Sequence, residues 1–378
     1  MNPFHRLVRV IPILLALPSL GHATPLTLWI GTYAKGAEAG IYRADFDLTS
    51  GQLSRLTQAG KGENAGFLAL SPQDGVLVST ASVAGSGGVT VWRRQADQSL
   101  LPMSSQATDG GVCHVSVMET GKTVLAANYG GGSVVSFALT GDQLSPRVSL
   151  IKHSGSGPNA SRQKAPHAHC FTPLPGGQFA ASADLGIDKT LVYKIDPASS
   201  ALTSHSEAST PPGSGPRHLT AHPNGKTVYV LHELDHGVSV FDWSASTGTL
   251  SPRQVISGRP ANLPPENLTS AEIRVRPDGK FVFMSTRDLS AARRDFLTVF
   301  KVLENGRLET AYHVPARVAQ PRNFAPSPDG KWLVVGGHTS NDIQVFAVDA
   351  TTGALTPQGE PVACPSPVCF LFEPTRTP

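Results

Sequence analysis

Charged and imidazole side chains recur at one position of a repeating pattern. His169, Arg217 and Arg322 each stand eight residues before the glycine that ends a Pro-x-Gly turn, and Glu272 stands seven residues before such a glycine. Equal register on neighbouring strands places these side chains at a similar height. An arginine can bind a carboxylate or a developing oxyanion with two hydrogen bonds, while a glutamate or histidine can activate water. The pattern therefore indicates a site for an anionic or carbonyl-bearing ligand.

Two further charged residues, Glu233 and Arg287, stand where the second strand of a repeat ends, on the same side of the predicted sheets. A structural interpretation competes with the functional one. Each arginine could brace two neighbouring repeats by pairing with a glutamate, and Glu233 could simply be the partner of Arg217. Glu272 could likewise be a structural group or one that orients the substrate.

The remaining histidines give weaker signals. His167 and His169 in the segment PHAH share one face of a strand and could be part of a metal site. No carboxylate has matching spacing, so we predict no metal. The chain has no Gly-x-Ser-x-Gly segment, which argues against an α/β-hydrolase. Four other histidines are expected to be loop or packing residues: His218, His232, His236 and His338.

The elements that must position these residues form a repeat of strands and turns. Six turn glycines follow one another at spacings of 46 to 56 residues, and seven leucines close the successive units. The first unit lacks an opening strand, while the C-terminus has an unmatched strand, PVCFLF, at 367–372. The simplest solution is circular. The sequence predicts an all-β fold, a seven-bladed β-propeller of four-stranded blades, closed when the C-terminal strand joins the N-terminal blade.

Composition agrees with short strands and tight turns rather than with a helical bundle. Only 16% of the 378 residues are charged, and 37 Gly and 31 Pro are spread along the chain. The net charge of +3 falls to +1 without residues 1–23, which contain two arginines and no acidic residue. No Lys/Arg-rich run interleaved with aromatic residues occurs, so we expect no nucleic-acid partner.

The N-terminus has the pattern of an export signal. Residues 1–23 have a basic start, an apolar run from Val10 to Leu20 and small residues that end at Ala23. We expect a mature periplasmic protein that starts near Thr24, with one propeller domain over 24–378 and no membrane span. A retained N-terminal anchor is the alternative. The four cysteines permit disulfides without requiring them; Cys364 and Cys369 could close a small loop or remain free thiols.

Eight segments carry a family resemblance over essentially the whole mature chain. They are GTY (31–33), ANYGGGSV (127–134), PHAH (166–169), GPRHL (215–219), HPNGKTVYVLHEL (222–234), SAEIRVRPDGKF (270–281), STRD (285–288) and PRNFAPSPDGKWL (321–333). Together they resemble the seven-bladed propeller lactonases, which include a class of bacterial 6-phosphogluconolactonase and the fungal carboxy-cis,cis-muconate cyclase. The resemblance implies a site formed by His169, Arg217, Glu233 and Arg287. Two positions depart from the family, which has Asn where this chain has His232 and Thr286.

The favoured function is hydrolysis of a sugar δ-lactone to its aldonic acid. Glu233, assisted by His169, is expected to activate water, and Arg217 and Arg287 to stabilise the oxyanion. This scheme needs no metal or organic cofactor. The residues expected to bind substrate are Asn128, His167, Glu272 and Arg322.

Export favours glucono-1,5-lactone as the small-molecule substrate, with 6-phosphogluconolactone second, because phosphorylated sugars are mainly cytoplasmic. Two alternatives remain: a muconate-type lactonising cycloisomerase, and a non-catalytic propeller that binds a partner protein or a cell-wall fragment. We expect a monomer or a weak homo-oligomer.

Overall fold

The computed structural model describes residues 25–373, except Asp74 and Asp109. The predicted signal segment, residues 1–23, lies outside this range. One turn of 3-10 helix spans Gly36–Glu38. No helix in the described part of the chain is long and apolar enough to cross a membrane.

The strands of the first three blades are, in chain order, β1 (Leu26–Thr32), β2 (Gly40–Phe46), β3 (Thr57–Lys61), β4 (Leu68–Leu70), β5 (Val76–Val83), β6 (Ser86–Arg94), β7 (Leu100–Ala107), β8 (Val112–Val117), β9 (Thr123–Asn128), β10 (Ser133–Thr140), β11 (Gln143–Leu144) and β12 (Ser149–Lys152). Those of the next two are β13 (Thr172–Pro173), β14 (Phe179–Asp184), β15 (Lys189–Ile195), β16 (Leu202–Ser209), β17 (Pro216–Ala221), β18 (Thr227–His232), β19 (Gly237–Ser244) and β20 (Thr249–Ser257). The last strands are β21 (Leu268–Val275), β22 (Phe281–Asp288), β23 (Phe296–Val302), β24 (Leu308–Pro315), β25 (Pro321–Pro326), β26 (Trp332–Gly337), β27 (Asp342–Val348), β28 (Leu355–Ala363) and β29 (Pro367–Phe372).

These strands form seven antiparallel sheets, so the prediction of a seven-bladed propeller is confirmed. The innermost strands, counted from the first blade, are β29, β4, β8, β13, β17, β21 and β25. Contacts run between neighbouring blades around the ring at this inner edge, with β14 making the contact to β17. The predicted closure is also confirmed, because β29 pairs with β1 from Leu28↔Phe372 to Thr32↔Pro367. The last strand of the chain thus completes the first blade.

One blade departs from the predicted four strands. The outer edge of the third blade is divided into β11 and β12, and both pair with β10. Pro146 lies in the interruption, and proline has no amide hydrogen to donate to the ladder. Outer strands tolerate this loss because their other edge faces solvent.

Apolar side chains on both faces of the strands fill the space between neighbouring blades. On β19, Val238 and Val240 pack with residues of the sixth blade, whereas Phe241 and Trp243 pack with residues of the fourth blade. Both faces of the sheet are therefore buried, and only the two ends of the propeller are left for loops. The turn glycines end the hairpins between first and second strands with positive φ, for example 70° at Gly225 and 68° at Gly330, a conformation in which glycine pays no steric penalty. We call this end the hairpin face and the opposite end the cavity face.

Candidate active site

The innermost strands contain β-bulges at their cavity-face ends. In β17 the pairing changes from Pro216↔His232 to Leu219↔Val230, so Arg217 and His218 stand where the ladder is interrupted. Similar register shifts occur in β8, β21, β25 and β29, at or beside Cys113, Glu272, Arg322 and Val368. A bulge re-aims the side chain of the extra residue. The repeat thus presents side chains toward the propeller axis instead of into the blade interfaces.

A narrow inner pocket of about 10 Å³ lies among these side chains, which is about the space that one water molecule needs. It is lined by five of the six residues that stand eight positions before the turn glycines; Ala271, eight positions before Gly279, is the exception. Two of these, Phe67 and Cys113, were not singled out in the sequence although they share the offset. The lining residues are Tyr33, Phe67, Cys113, His169, Arg217, His218, Arg322 and Val368.

A large cavity of about 1360 Å³ occupies the cavity face. It is lined by connections between blades and by loops between second and third strands, as predicted for this face. Its lining from blades four to seven and the connection before them carries most of the charge, from Arg162, Glu233, Arg287 and Arg322, and also includes His169. Its lining from blades one and two is polar, with Lys35, Glu63, Asn64, Ser82 and Ser86. A smaller cavity of about 330 Å³ lies on the hairpin face, where its charged lining residues Arg94 and Glu373 pair at 2.7 Å.

Glu233 is the centre of the charged cluster. One of its oxygens, Oε2, lies 2.8 Å from Arg217 Nε and 3.4 Å from Arg287 Nη2, and the other, Oε1, lies 2.6 Å from Arg162 Nη2. Burial alone would raise the pKa of Glu233, but the three guanidiniums and His169 outweigh burial and hold this pKa well below its ordinary value. The carboxylate is therefore charged at neutral pH and weakly basic.

His169 lies beside this carboxylate, with Nε2 4.0 Å from Glu233 Oε2 and Nδ1 3.9 Å from Cys113 Sγ. Burial, and then the charges of Arg217 and its neighbours, lower the pKa of His169 well below 6.5. Its ring is therefore neutral at neutral pH and can accept a proton. Burial raises the pKa of Cys113 to about 12, so that side chain is a thiol.

Arg287 keeps hydrogen-bonding capacity. Its Nη2 donates to Ser270 O at 3.3 Å, while its buried Nε has no hydrogen-bond partner among the described residues. Burial and neighbouring guanidiniums lower the pKa of Arg287 to about 9, so the side chain is still cationic at neutral pH.

Arg322 differs from the other arginines of the cavity because, within the described part of the chain, it forms no ion pair. Its guanidinium lies 5.5 Å from the centre of the Tyr33 ring, in a cation–π contact. It lines both the large cavity and the inner pocket. The walls around Glu233 thus hold more cationic than anionic groups.

Three residues predicted to bind substrate do not line the large cavity. Asn128 is fully buried and donates to Thr108 O and Ser133 Oγ. His167 stacks on the Tyr129 ring at 4.4 Å. Glu272 is 1% exposed and lies deeper in the fold. The structure therefore gives these residues roles in packing and hydrogen bonding around the cavity rather than on its surface.

Other histidines have roles beyond the packing that was predicted. His218 contacts Arg217, and His338 lines the cavity. His232, one of the two departures from the family pattern, is buried between Asp235 and Ser239. The other departure, Thr286, is buried and lies 3.1 Å from Ser270 Oγ. Both substitutions leave the charged cluster in place.

Arg162 was missed in the sequence. It lies on the connection of residues 153–171 between the third and fourth blades, which has no equivalent in the repeat. The available signal is the spacing of 56 residues between Gly121 and Gly177, the longest between turn glycines. The extra length is inserted in this connection.

The described residues contain no group of three or more His, Cys, Asp or Glu side chains arranged to hold a metal ion. All four cysteines are described, and each is a free thiol in this structure, including the pair Cys364 and Cys369.

The fold agrees with the comparisons to known proteins. The profile of the family described as "Lactonase, 7-bladed beta-propeller" matches residues 27–372. A 6-phosphogluconolactonase of Bacillus subtilis is 33% identical over 348 residues, which cover 91% of this chain and 97% of the relative. The crystal structure of the periplasmic gluconolactonase of Pseudomonas aeruginosa is 27% identical, with a TM-score of 0.85 and coverage of 92% of this chain and 98% of that one. The chain belongs to the seven-bladed β-propeller lactonase family.

Proposed function

We propose that this protein hydrolyses a sugar δ-lactone to the aldonic acid. The observation that carries the proposal is the meeting of a neutral imidazole, a buried carboxylate and several guanidiniums at the base of one cavity. Attack of water on a lactone carbonyl needs a proton acceptor and positive charge for the oxyanion. His169 supplies the first. Arg287, which lines the cavity, supplies the second, and Arg217, which lines the inner pocket beside it, adds to the positive charge.

We propose roles for Glu233 and His169 that differ from those expected from the sequence. The pKa values of both groups are depressed, that of His169 mainly by burial and that of Glu233 by guanidiniums that outweigh burial. Both oxygens of Glu233 are already engaged by guanidiniums at 2.6 to 3.4 Å, whereas His169 Nε2 lies 4.0 Å from Glu233 Oε2 and is free to accept a proton from water. We therefore assign the base to His169. Glu233 orients the arginines, and from 4.0 Å it stabilises the imidazolium that forms.

The reaction then proceeds in two steps. Water loses a proton to His169 as its oxygen bonds to the lactone carbonyl carbon, and the carbonyl oxygen becomes an oxyanion that accepts hydrogen bonds from arginine. The bond between the carbonyl carbon and the ring oxygen then breaks, and the imidazolium returns the proton to the leaving ring oxygen. Arg287 is suited to the oxyanion because it lines the cavity and its ion pair with Glu233 is long, at 3.4 Å.

Glucono-1,5-lactone is the proposed substrate. Its support is the likeness to the periplasmic gluconolactonase, together with the export signal proposed for residues 1–23. A specific observation favours 6-phosphogluconolactone as the second candidate. Arg322 has no ion-pair partner among the described residues and faces the cavity, where a phosphate group would neutralise it.

The test is turnover of a lactone panel by purified protein, with spontaneous hydrolysis subtracted. The panel contains glucono-1,5-lactone, 6-phosphogluconolactone and a muconolactone. We expect His169→Gln to lower kcat by about 10²-fold or more, and Glu233→Gln to lower it less. His205→Gln is the control, because His205 is exposed on an outer strand.

In the wild type, kcat/KM is expected to be flat near neutral pH and to fall only well below pH 6.5, as His169 becomes protonated. Absence of turnover with every lactone would refute the proposed function. A greater loss in Glu233→Gln than in His169→Gln would restore Glu233 as the base.

A further inference from the structure

A chain of buried side chains continues inward from the charged cluster. Arg217 Nη1 lies 3.2 Å from His218 Nε2, and His218 Nδ1 lies 3.1 Å from Glu272 Oε2. We propose that His218 and Glu272 are positioning residues that fix the guanidinium of Arg217 for the lactone reaction. This inference rests on the proposed function, because it gives Arg217 a part in stabilising the oxyanion.

The proton positions along the chain follow from the donors available. A guanidinium can only donate, so His218 Nε2 must be the unprotonated nitrogen that accepts from Arg217. Nδ1 then carries the proton and donates it to the Glu272 carboxylate. Burial, and then the charges of Arg217 and Arg274, hold the pKa of His218 well below 6.5, which agrees with a neutral ring. One tautomer of His218 therefore satisfies both neighbours.

Glu272 is anchored independently of the cavity. Its Oε1 accepts from the backbone N–H of Ile273 at 3.0 Å and lies 3.4 Å from Arg274 Nε. Its Oε2 also accepts from Asn323 Nδ2, on the neighbouring blade. This series of hydrogen bonds therefore connects Arg217, on the fifth blade, to the sixth and seventh blades.

The ring of His218 is also fixed by packing. It makes edge-to-face contacts with Phe67 at 5.7 Å, His114 at 5.7 Å and His169 at 5.3 Å. These contacts restrain the imidazole and therefore the direction of its Nε2 lone pair. Nothing in this arrangement requires His218 to touch a ligand in order to act.

Arg217 needs such support because it lies in the bulge of β17, outside the regular ladder. Its Nε donates to Glu233, and its Nη1 donates to Ala271 O as well as to His218. These contacts set the plane of the guanidinium toward the inner pocket. Small errors in the placement of a charge-stabilising group are costly to catalysis. The hydrogen bonds from Arg217 through His218 to Glu272 therefore hold the Arg217 guanidinium in a fixed orientation relative to the rigid blades.

The first test is kinetic. His218→Phe keeps a ring of similar size and removes the acceptor for Arg217, and it is expected to lower kcat about 10–100-fold with KM little changed. His218→Gln, whose Oε1 can accept from Arg217, is expected to recover part of the loss. His114→Phe is the matched control, because His114 is a buried ring in the same cluster without a hydrogen bond to Arg217 among the described contacts.

A double variant separates positioning from a general structural effect. If His218 acts through Arg217, His218→Phe added to Arg217→Lys lowers kcat no further than Arg217→Lys alone. Independent, multiplying losses would overturn the proposal, and so would equal losses in His114→Phe and His218→Phe.

The second test does not depend on turnover. In ¹⁵N-arginine NMR spectra of the whole protein, the Nη groups of Arg217 are expected to show hindered rotation in the wild type and in His114→Phe. Rotation is expected to be faster in His218→Phe, where the bond to Ala271 O remains but the bond to His218 is lost. Unchanged Arg217 signals in His218→Phe would overturn the positioning role. A protein without lactonase turnover that still shows the loss of hindrance would refute the proposed function while retaining the support of Arg217 by His218.

Discussion

Three guanidiniums share the single carboxylate of Glu233, and their excess positive charge lowers the proton affinity of the neighbouring His169. Each guanidinium removes part of the negative potential that would stabilise a protonated His169. Arg217 and Arg287 are buried, whereas the side chain of Arg162 is 33% exposed and enters from a connection between blades. Arg162 is therefore the member of the cluster that can be changed with least effect on the fold.

Replacing Arg162 with Gln is expected to move the acid limb of the kcat/KM profile to higher pH. Loss of the cation at 2.6 Å from Glu233 Oε1 leaves more negative charge beside His169, so the imidazolium is stabilised and the pKa of His169 rises. The free base is then lost at a higher pH. The measurement is the pH dependence of kcat/KM in Arg162→Gln and in the wild type.

Lys164→Gln provides the control, since it removes one positive charge from an exposed position of the same connection. An acid limb that stays in place in Arg162→Gln, or that moves equally in both variants, would contradict the electrostatic role given to Arg162.

Some residues of the candidate site could be located from the sequence and others could not. The eight-residue offset located His169, Arg217 and Arg322 on the inner pocket, because a repeat fixes the register of equivalent strands. Arg162 could not be located in this way, since its connection has no counterpart in other blades. Asn128 was expected on the cavity surface, but it is the last residue of β9 and its side chain turns inward to Ser133, which the sequence does not reveal.

At the scale of elements, β29 is expected to be essential to folding. It is the innermost strand of the first blade, and its removal would expose the edge of β1 and open the ring. Deletion of residues 367–378 should therefore abolish cooperative unfolding. Deletion of residues 374–378 alone, which spares β29, is the control.

Thermal unfolding followed by circular dichroism distinguishes the two truncations. A protein that lacks 367–378 and keeps the melting profile of the wild type would contradict closure through the C-terminal strand.

The fold could be predicted almost completely from the repeat, because turn glycines, closing leucines and alternating strands recur with each blade. The bulges could not. A strand of alternating residues such as RHLTA predicts continuous pairing, and the extra residue at Arg217 is visible only in the register against β18. The split outer strand at Pro146 is a similar local effect of one residue on one ladder.

At the scale of the whole molecule, three neutral imidazoles lie buried near the axis: His114, His169 and His218. Burial comes first among the causes that hold the pKa of each ring well below 6.5. In the unfolded chain the same groups titrate near 6.5, so the unfolded state binds more protons below that pH. Their contribution to stability is complete above pH 6.5 and is lost as the pH falls.

We therefore expect the melting temperature to fall between pH 7 and pH 5. Each imidazole that stays neutral in the fold lowers the free energy of unfolding by about 1.4 kcal/mol per pH unit in the steepest part of this range. Glu233 does not account for this loss, because its depressed pKa affects stability only below its ordinary value of 4.5. Calorimetry across this range, with His114→Phe showing a smaller decrease than the wild type, is the measurement. A constant melting temperature from pH 7 to pH 5 would contradict the claim that the unfolded chain binds more protons than the folded protein in this range.

The closure of the ring also determines where a solid surface or a second protein can be attached to the molecule. β1 begins at Leu26 and β29 ends at Phe372, and the pairing of Leu28 with Phe372 places both ends on the hairpin face. The cavity opens at the other end of the axis. A bead, an electrode or a fused protein joined through either end of these strands would therefore sit behind the propeller, leaving the mouth of the cavity open to the bulk solution.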